Sequence, residues 1–208
     1  MSQDSLKGSL LADKTPYEND GTIYGATFTT DRKGKANSAM SFNGTSDYID
    51  CGDGDSLAIT SAITMSCWIK GNTGNTDMPK FMSKRAGSNF YFIGLKSKKP
   101  YIGIGDGTVE TLIADNAIDN DNWHFIVGTF YNNTKEANIC VDNVSRTTIF
   151  SNSIGNLSGH NLKIGAEDKG YNFYDGSIAD VRIYNRALSQ DEITLLYLAY
   201  NPKIILWA

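Results

Sequence analysis

Proline and cysteine are scarce in this chain, and long apolar runs are missing. With four prolines against twenty glycines, chain reversals must come from glycine and from Asn/Asp turns. Cys51, Cys67 and Cys140 are odd in number and carry no C-x-x-C spacing, which argues against a fully paired disulfide framework or a thiolate metal site. Cys67 and Cys140 lie inside apolar stretches and read as small core residues. No segment approaches the ~20 apolar residues of a membrane span, so no membrane insertion is expected. Met1 is followed by Ser-Gln-Asp-Ser, which has neither the basic start nor the apolar centre of a secretory signal. The expectation is a soluble chain, cytoplasmic or assembled into a virion, and extracellular only if a leader was removed.

A basic surface is also missing. The net charge is −4, and the groups Lys84-Arg85 and Lys96-Ser-Lys-Lys99 are too short for a nucleic-acid stripe. They read as solvated strand ends. Catalytic signatures are absent too. Glycosidases set two carboxyl groups about 5 to 10 Å apart, and related hydrolases place them on one strand as Glu-x-Asp-x-Glu. None of Glu18, Glu110, Glu136, Glu167 and Glu192 stands in that pattern. There is no G-x-S-x-G, H-E-x-x-H or P-loop spacing. Gly103-Ile-Gly105-Asp-Gly107 lies between strands and not before a helix, so it does not read as a phosphate cradle. A catalytic role is disfavoured.

What is present is a series of short alternating segments. Ile63, Met65, Cys67 and Ile69 repeat every second residue and predict a strand with its core face assigned. Further strands are predicted at 22–28, 39–42, 48–49, 81–83, 89–95, 101–105, 109–113, 146–150 and 162–165. Residues 123–131 and 137–141 form a hairpin around Asn132-Asn133. The last strand is Gly176 to Tyr184, with Ala179, Val181 and Ile183 on its buried face. On its other face Asp180 needs a partner, since an unpaired charge near a core is costly; Arg182 and a bound metal both remain open. One helix is predicted at 190–199, capped by Ser189 with Glu192 three residues on. No strand–helix alternation is visible, so the fold class is all-β, an antiparallel two-sheet β-sandwich with one short C-terminal helix.

Two phrases carry a family resemblance. One is Asp180-Val-Arg-Ile-Tyr-Asn-Arg-Ala-Leu-Ser189. The other runs from Asp31-Arg-Lys-Gly-Lys-Ala-Asn37 through Ser41-Phe-Asn43-Gly44 to Asp47-Tyr48-Ile49. With the Asp/Asn-rich segment 13–21 they resemble, in order, the landmarks of laminin-G-like, concanavalin A-like jelly-roll domains. The resemblance implies a single jelly-roll domain over residues 1–208. It implies a structural calcium held by Asp13, Asn19 and Asp180, although Pro16-Tyr17 departs from the usual loop. At Trp123-His124 it implies a packing or turn role for the histidine. Asp47, Asp50, Asp53 and Asp55 read as a solvated acidic turn. The family's usual apolar first strand is weak here, whereas residues 203–208 (Lys-Ile-Ile-Leu-Trp-Ala) read like it. The alternatives are a permuted domain, a strand exchanged with another copy, or a plain apolar tail.

The resemblance further implies a non-catalytic binding module for a glycan or cell-surface polysaccharide. Sugars are recognised by aromatic faces with planar polar groups beside them. Arg85 and Tyr91, expected on a concave sheet face, and Tyr171 and Asn172, in the loop before the last strand, are the candidate ligand-binding residues. The alternative is a structural, decoration or adhesion protein of a virus particle or surface assembly, with other copies of itself or virion proteins as partners. A glycoside hydrolase is the remote third reading.

Overall fold

The computed structural model describes residues 10–72, 78–118, 122–167 and 171–199. These form two antiparallel sheets packed face to face. The first sheet comprises β1 (Leu10–Leu11), β2 (Gly21–Tyr24), β5 (Tyr48–Asp50), β7 (Lys80–Ala86), β8 (Asn89–Lys96), β9 (Lys99–Asp106), β10 (Val109–Ile113) and β14 (Leu162–Ile164). Its spatial order is β1-β2-β5-β14-β7-β8-β9-β10. The second sheet comprises β3 (Thr27–Thr29), β4 (Ala39–Asn43), β6 (Ala62–Asn72), β11 (His124–Tyr131), β12 (Glu136–Val141), β13 (Val144–Ile149) and β15 (Asp175–Tyr184). Its order is β13-β12-β11-β6-β15-β4-β3. Neighbours that are remote in sequence, such as β14 between β5 and β7, give the crossing connections of a jelly roll. Residues 203–208 lie outside the described residues.

Strand alternation builds the core between the sheets. Ile63, Met65, Cys67 and Ile69 of β6 are fully buried against Ile93 of β8 and Ile102 and Ile104 of β9. Each large side chain buried in this way contributes about 1.5–3 kcal/mol. The opposite face of β6 carries Trp68, which packs with Phe125, Ala179, Tyr184, Ile193 and Leu196 under α1 (Gln190–Leu198), the one α-helix among the described residues. All three cysteines are free and buried.

The helix begins as its sequence predicts. The Ser189 hydroxyl accepts from the Glu192 N–H, and the Glu192 carboxylate accepts from the Ser189 N–H. Arg186 also holds Glu192 through both guanidinium ends, at 2.8 and 2.9 Å. Its hydrogen bond, followed by that from the Ser189 N–H, pulls the Glu192 carboxyl down to about 2. Ser189→Ala is expected to cost about 1 kcal/mol, read as a lower urea midpoint with an unchanged slope.

β15 departs from simple alternation. Its register against β6 shifts between Ala179 and Arg182, and Asp180 sits in the left-handed region at φ 51°. Before this bulge Ile178 faces the core; after it Val181 and Ile183 do. Ala179, expected on the core face, instead lies on the helix side with Tyr184. One extra residue in a strand flips the facing of everything beyond it, and regular alternation cannot reveal that.

Candidate functional site

On the outer face of the first sheet, away from the sandwich core, an aromatic cluster surrounds buried charges. Tyr91 and Ile93 point inward, so Phe90 and Phe92 between and beside them point outward. With Tyr101 they form a small cluster of their own, Phe92 meeting Tyr101 edge-on with centroids 5.0 Å apart. Glycine makes room for the rings. A Cβ at Gly103 would come within 2.2 Å of the Phe92 ring, and one at Gly105 within 2.6 Å of Phe90.

Lys80, at the start of β7, lies over this cluster. Its side chain is only 3% exposed, with Nζ 4.5 Å from the Phe92 centroid and hydrogen-bonded to the Tyr101 hydroxyl at 2.6 Å. The compensating charge is Glu167, which is also buried, 3.6 Å from Lys80. Glu167 gathers three partners: Lys80, the Arg85 Nη1 and the Asn172 Nδ2. Burial pushes the Glu167 carboxyl up. The Asn172 hydrogen bond and the Lys80 and Arg85 charges outweigh burial, and the net shift is downward. Burial lowers the Lys80 ammonium to about 8 although Glu167 opposes it.

The backbone fixes this arrangement. Glu167 and Tyr171 form an antiparallel bridge, the Glu167 N–H donating to the Tyr171 carbonyl at 2.9 Å. Asn172 follows in the left-handed conformation at φ 54°, which asparagine tolerates, and its carbonyl accepts from the Lys80 N–H at 3.0 Å. Arg85 is steered by Gly87, whose carbonyl accepts from Nε at 2.8 Å, and its guanidinium lies 5.6 Å from the Phe90 centroid. Tyr171 stands beside this network with 65% of its surface exposed. The result is an exposed aromatic face next to oriented, planar hydrogen-bonding groups. That arrangement suits holding a ligand.

Three of the four candidate ligand-binding residues, Arg85, Tyr171 and Asn172, therefore meet around Glu167. Tyr91 does not join them. It is fully buried in the main core, and its hydroxyl donates to the Leu57 carbonyl at 2.9 Å. The correction follows from strand parity: Tyr91 stands opposite Lys84, and Phe90 opposite Arg85. Lys84 corrects a second expectation. It is no solvated strand end; its side chain is 0% exposed and paired with Asp53. The neighbouring aspartates are likewise structural acceptors. Asp47 is buried and accepts from the Asn43 N–H, and Asp50 accepts from Asn161 and the Gly52 N–H. The organising residues Glu167 and Lys80 were not singled out from sequence. Lys80 falls just before the predicted strand 81–83 and Glu167 just after 162–165, where a charged residue reads as a solvated strand end.

His124 takes its expected structural role, with Nδ1 2.6 Å from the Asp142 carboxylate, whose other oxygen accepts from the Phe125 N–H. The proposed calcium ligands are placed differently. Both Asp13 oxygens accept from within their own loop, from the Thr15 N–H and hydroxyl and the Asn19 N–H. The Asn19 side chain bonds Ser56. Asp180 belongs to the other sheet. One of its oxygens accepts from both Nε and Nη2 of Arg182, at 3.0 and 2.8 Å, so Arg182 is its partner. It also borders a 220 Å³ pocket lined by Arg32, Lys33 and Lys35. Asp180 thus lies beside cationic side chains, with Arg182 as its counter-charge. Among the described residues no group of three or more His, Cys, Asp or Glu could hold a metal.

Among the described residues no helix is long and apolar enough to cross a membrane. A search of curated proteins returned no match. Several solved structures share the fold. Domain 4 of AbnA, a GH43 extracellular arabinanase from Geobacillus stearothermophilus, solved with arabinotriose, superposes with a TM-score of 0.68 at 17% identity, over 91% of this chain and 87% of that one. The binding domain of botulinum neurotoxin serotype G matches with a TM-score of 0.68 at 17% identity, over 89% of this chain and 47% of that one. The serotype D ligand-binding domain, solved with N-acetylneuraminic acid, gives 0.68 at 16% identity, over 89% and 47%. The chain thus spans about half the length of those toxin domains. The family model of the concanavalin A-like lectin/glucanases superfamily matches residues 43–194, and with both sheets and their crossing order in place the chain belongs to that superfamily.

Proposed function

We propose that this chain is a non-catalytic carbohydrate-binding module and that its ligand sits at Tyr171, Arg85 and Asn172. The observation that carries this reading is the exposed Tyr171 ring beside two planar polar side chains, both held in place by one buried carboxylate. A sugar presents a C–H face for the ring and hydroxyls for the guanidinium and amide. Relatives of the same fold include one solved with arabinotriose and one solved with N-acetylneuraminic acid, which supports the ligand class. The buried charges argue for binding over catalysis: Glu167 is fully engaged by Lys80, Arg85 and Asn172 and is held ionised, which does not suit a general acid.

The test is a glycan array followed by calorimetry on the best ligand. Tyr171→Ala is expected to weaken binding about tenfold, the lower end of what a lost aromatic contact costs. Its melting temperature should stay that of the parent, because the ring is exposed. An array without any ligand, or a hit that Tyr171→Ala binds equally well, removes this assignment.

A further inference from the structure

The charges at this site do not cancel. Lys80 and Arg85 carry two positive charges and Glu167 one negative. The surplus resides on Arg85. Its Nε bonds the Gly87 carbonyl and its Nη1 bonds Glu167, while its Nη2 has no partner among the described residues. The side chain is 41% exposed, whereas Lys80 is enclosed. The open edge of a planar, pre-oriented guanidinium therefore faces solvent beside Tyr171. A guanidinium edge matches a carboxylate in geometry as well as charge. The whole chain is anionic at −4, so the cationic surplus here is a local reversal of sign that favours anions.

We propose that the ligand at this site is an acidic saccharide whose sugar carboxylate pairs with Arg85 while Tyr171 stacks on the ring. This rests on the carbohydrate-binding reading above and narrows its substrate class. Ion pairing at a partly exposed site also predicts that affinity falls with added salt.

The experiment compares matched probes by calorimetry on the full chain: trigalacturonate against galactotriose, and sialyllactose against lactose. In at least one pair the acidic member should bind about tenfold more tightly. Arg85→Gln should erase that ratio by lowering affinity for the acidic member far more than for the neutral one, whereas Tyr171→Ala should weaken both members alike. Arg85→Lys, which keeps the charge and loses the planar edge, should fall between parent and Arg85→Gln. Thermal melts check that each variant folds. If Arg85→Gln does not fold, the acidic-to-neutral ratio of the parent and of Arg85→Lys, with the parent's salt dependence, decides the matter. Neutral sugars binding as tightly as acidic ones, or a ratio unmoved by Arg85→Gln, overturns the acidic ligand and leaves the binding module standing. No binding within either pair, together with an empty array, removes both.

Discussion

Glu167→Ala should destabilise the protein by about 3–5 kcal/mol, the usual cost of removing one member of a buried ion pair. The loss exceeds that of a surface charge because Lys80 is enclosed by Phe92 and Tyr101 and has no other carboxylate beside it among the described residues. The same change frees Arg85 and Asn172, so glycan affinity should fall together with stability. Tyr171→Ala, by contrast, should lower affinity alone. Urea unfolding combined with calorimetry separates the two patterns. A loss under about 1 kcal/mol would mean that water reaches Lys80 and replaces its partner.

The pH dependence of stability has a definite sign on each limb. Glu167 titrates below its usual value when folded, so its contribution is complete above the unfolded carboxylate value of about 4.3. It is lost as the pH falls through the lower folded value. Lys80 acts in the other direction. Its folded value is about 8, below the unfolded value of about 10.4. Between these the unfolded chain holds the extra proton, so stability rises with pH across that window. The groups facing Lys80 are Glu167, Arg85 and Tyr101. Removing Glu167 takes away the charge that holds the ammonium up, so in Glu167→Ala the window should begin at lower pH. Urea midpoints measured from acid to alkaline pH test both limbs.

The second large effect lies on the inner side of the same sheet. Lys84 points toward the core, opposite Tyr91, and its ammonium meets Asp53. Asp53 also accepts from the Gly159 N–H, so it ties two loops to β7. Asp53→Ala should cost about 3–5 kcal/mol, because a fully enclosed ammonium is left without its counter-ion. Adding Lys84→Met should recover most of that loss, since a buried pair is often replaced by apolar groups of similar volume with little penalty. Calorimetric melting of the single and double variants decides it. A double variant no more stable than Asp53→Ala would show that the aspartate acts through the loop backbone and not through the lysine.

Much of the architecture is legible in the amino-acid order. The β6 alternation and the Ser189–Glu192 capping box are local patterns, and both appear where local physics puts them. Arg85, Tyr171 and Asn172 could be nominated as candidates, because exposed aromatic and planar polar residues in turn-rich segments are recognisable one by one. Tyr91 shows the limit. A tyrosine inside a strand carries no mark of which face it takes until its partner strand sets the register, and here the register turns it to the core. The bulge in β15 has the same character: Ile178 and Val181 share one face only because an added residue at Asp180 breaks the parity.

The partner of Asp180 was open in the sequence for a related reason. Asp180 was joined to Asp13 and Asn19 by analogy, whereas Arg182, two residues away in the chain, supplies the counter-charge. The sequence alone determined an all-β chain with one capped helix, since hydrophobic period and capping depend on residues at most four apart. Only the tertiary structure decided that Glu167 would draw Lys80 and Arg85, more than eighty positions away, into one site. A buried charge chooses its partner by proximity in the folded state, and strand register sets that proximity.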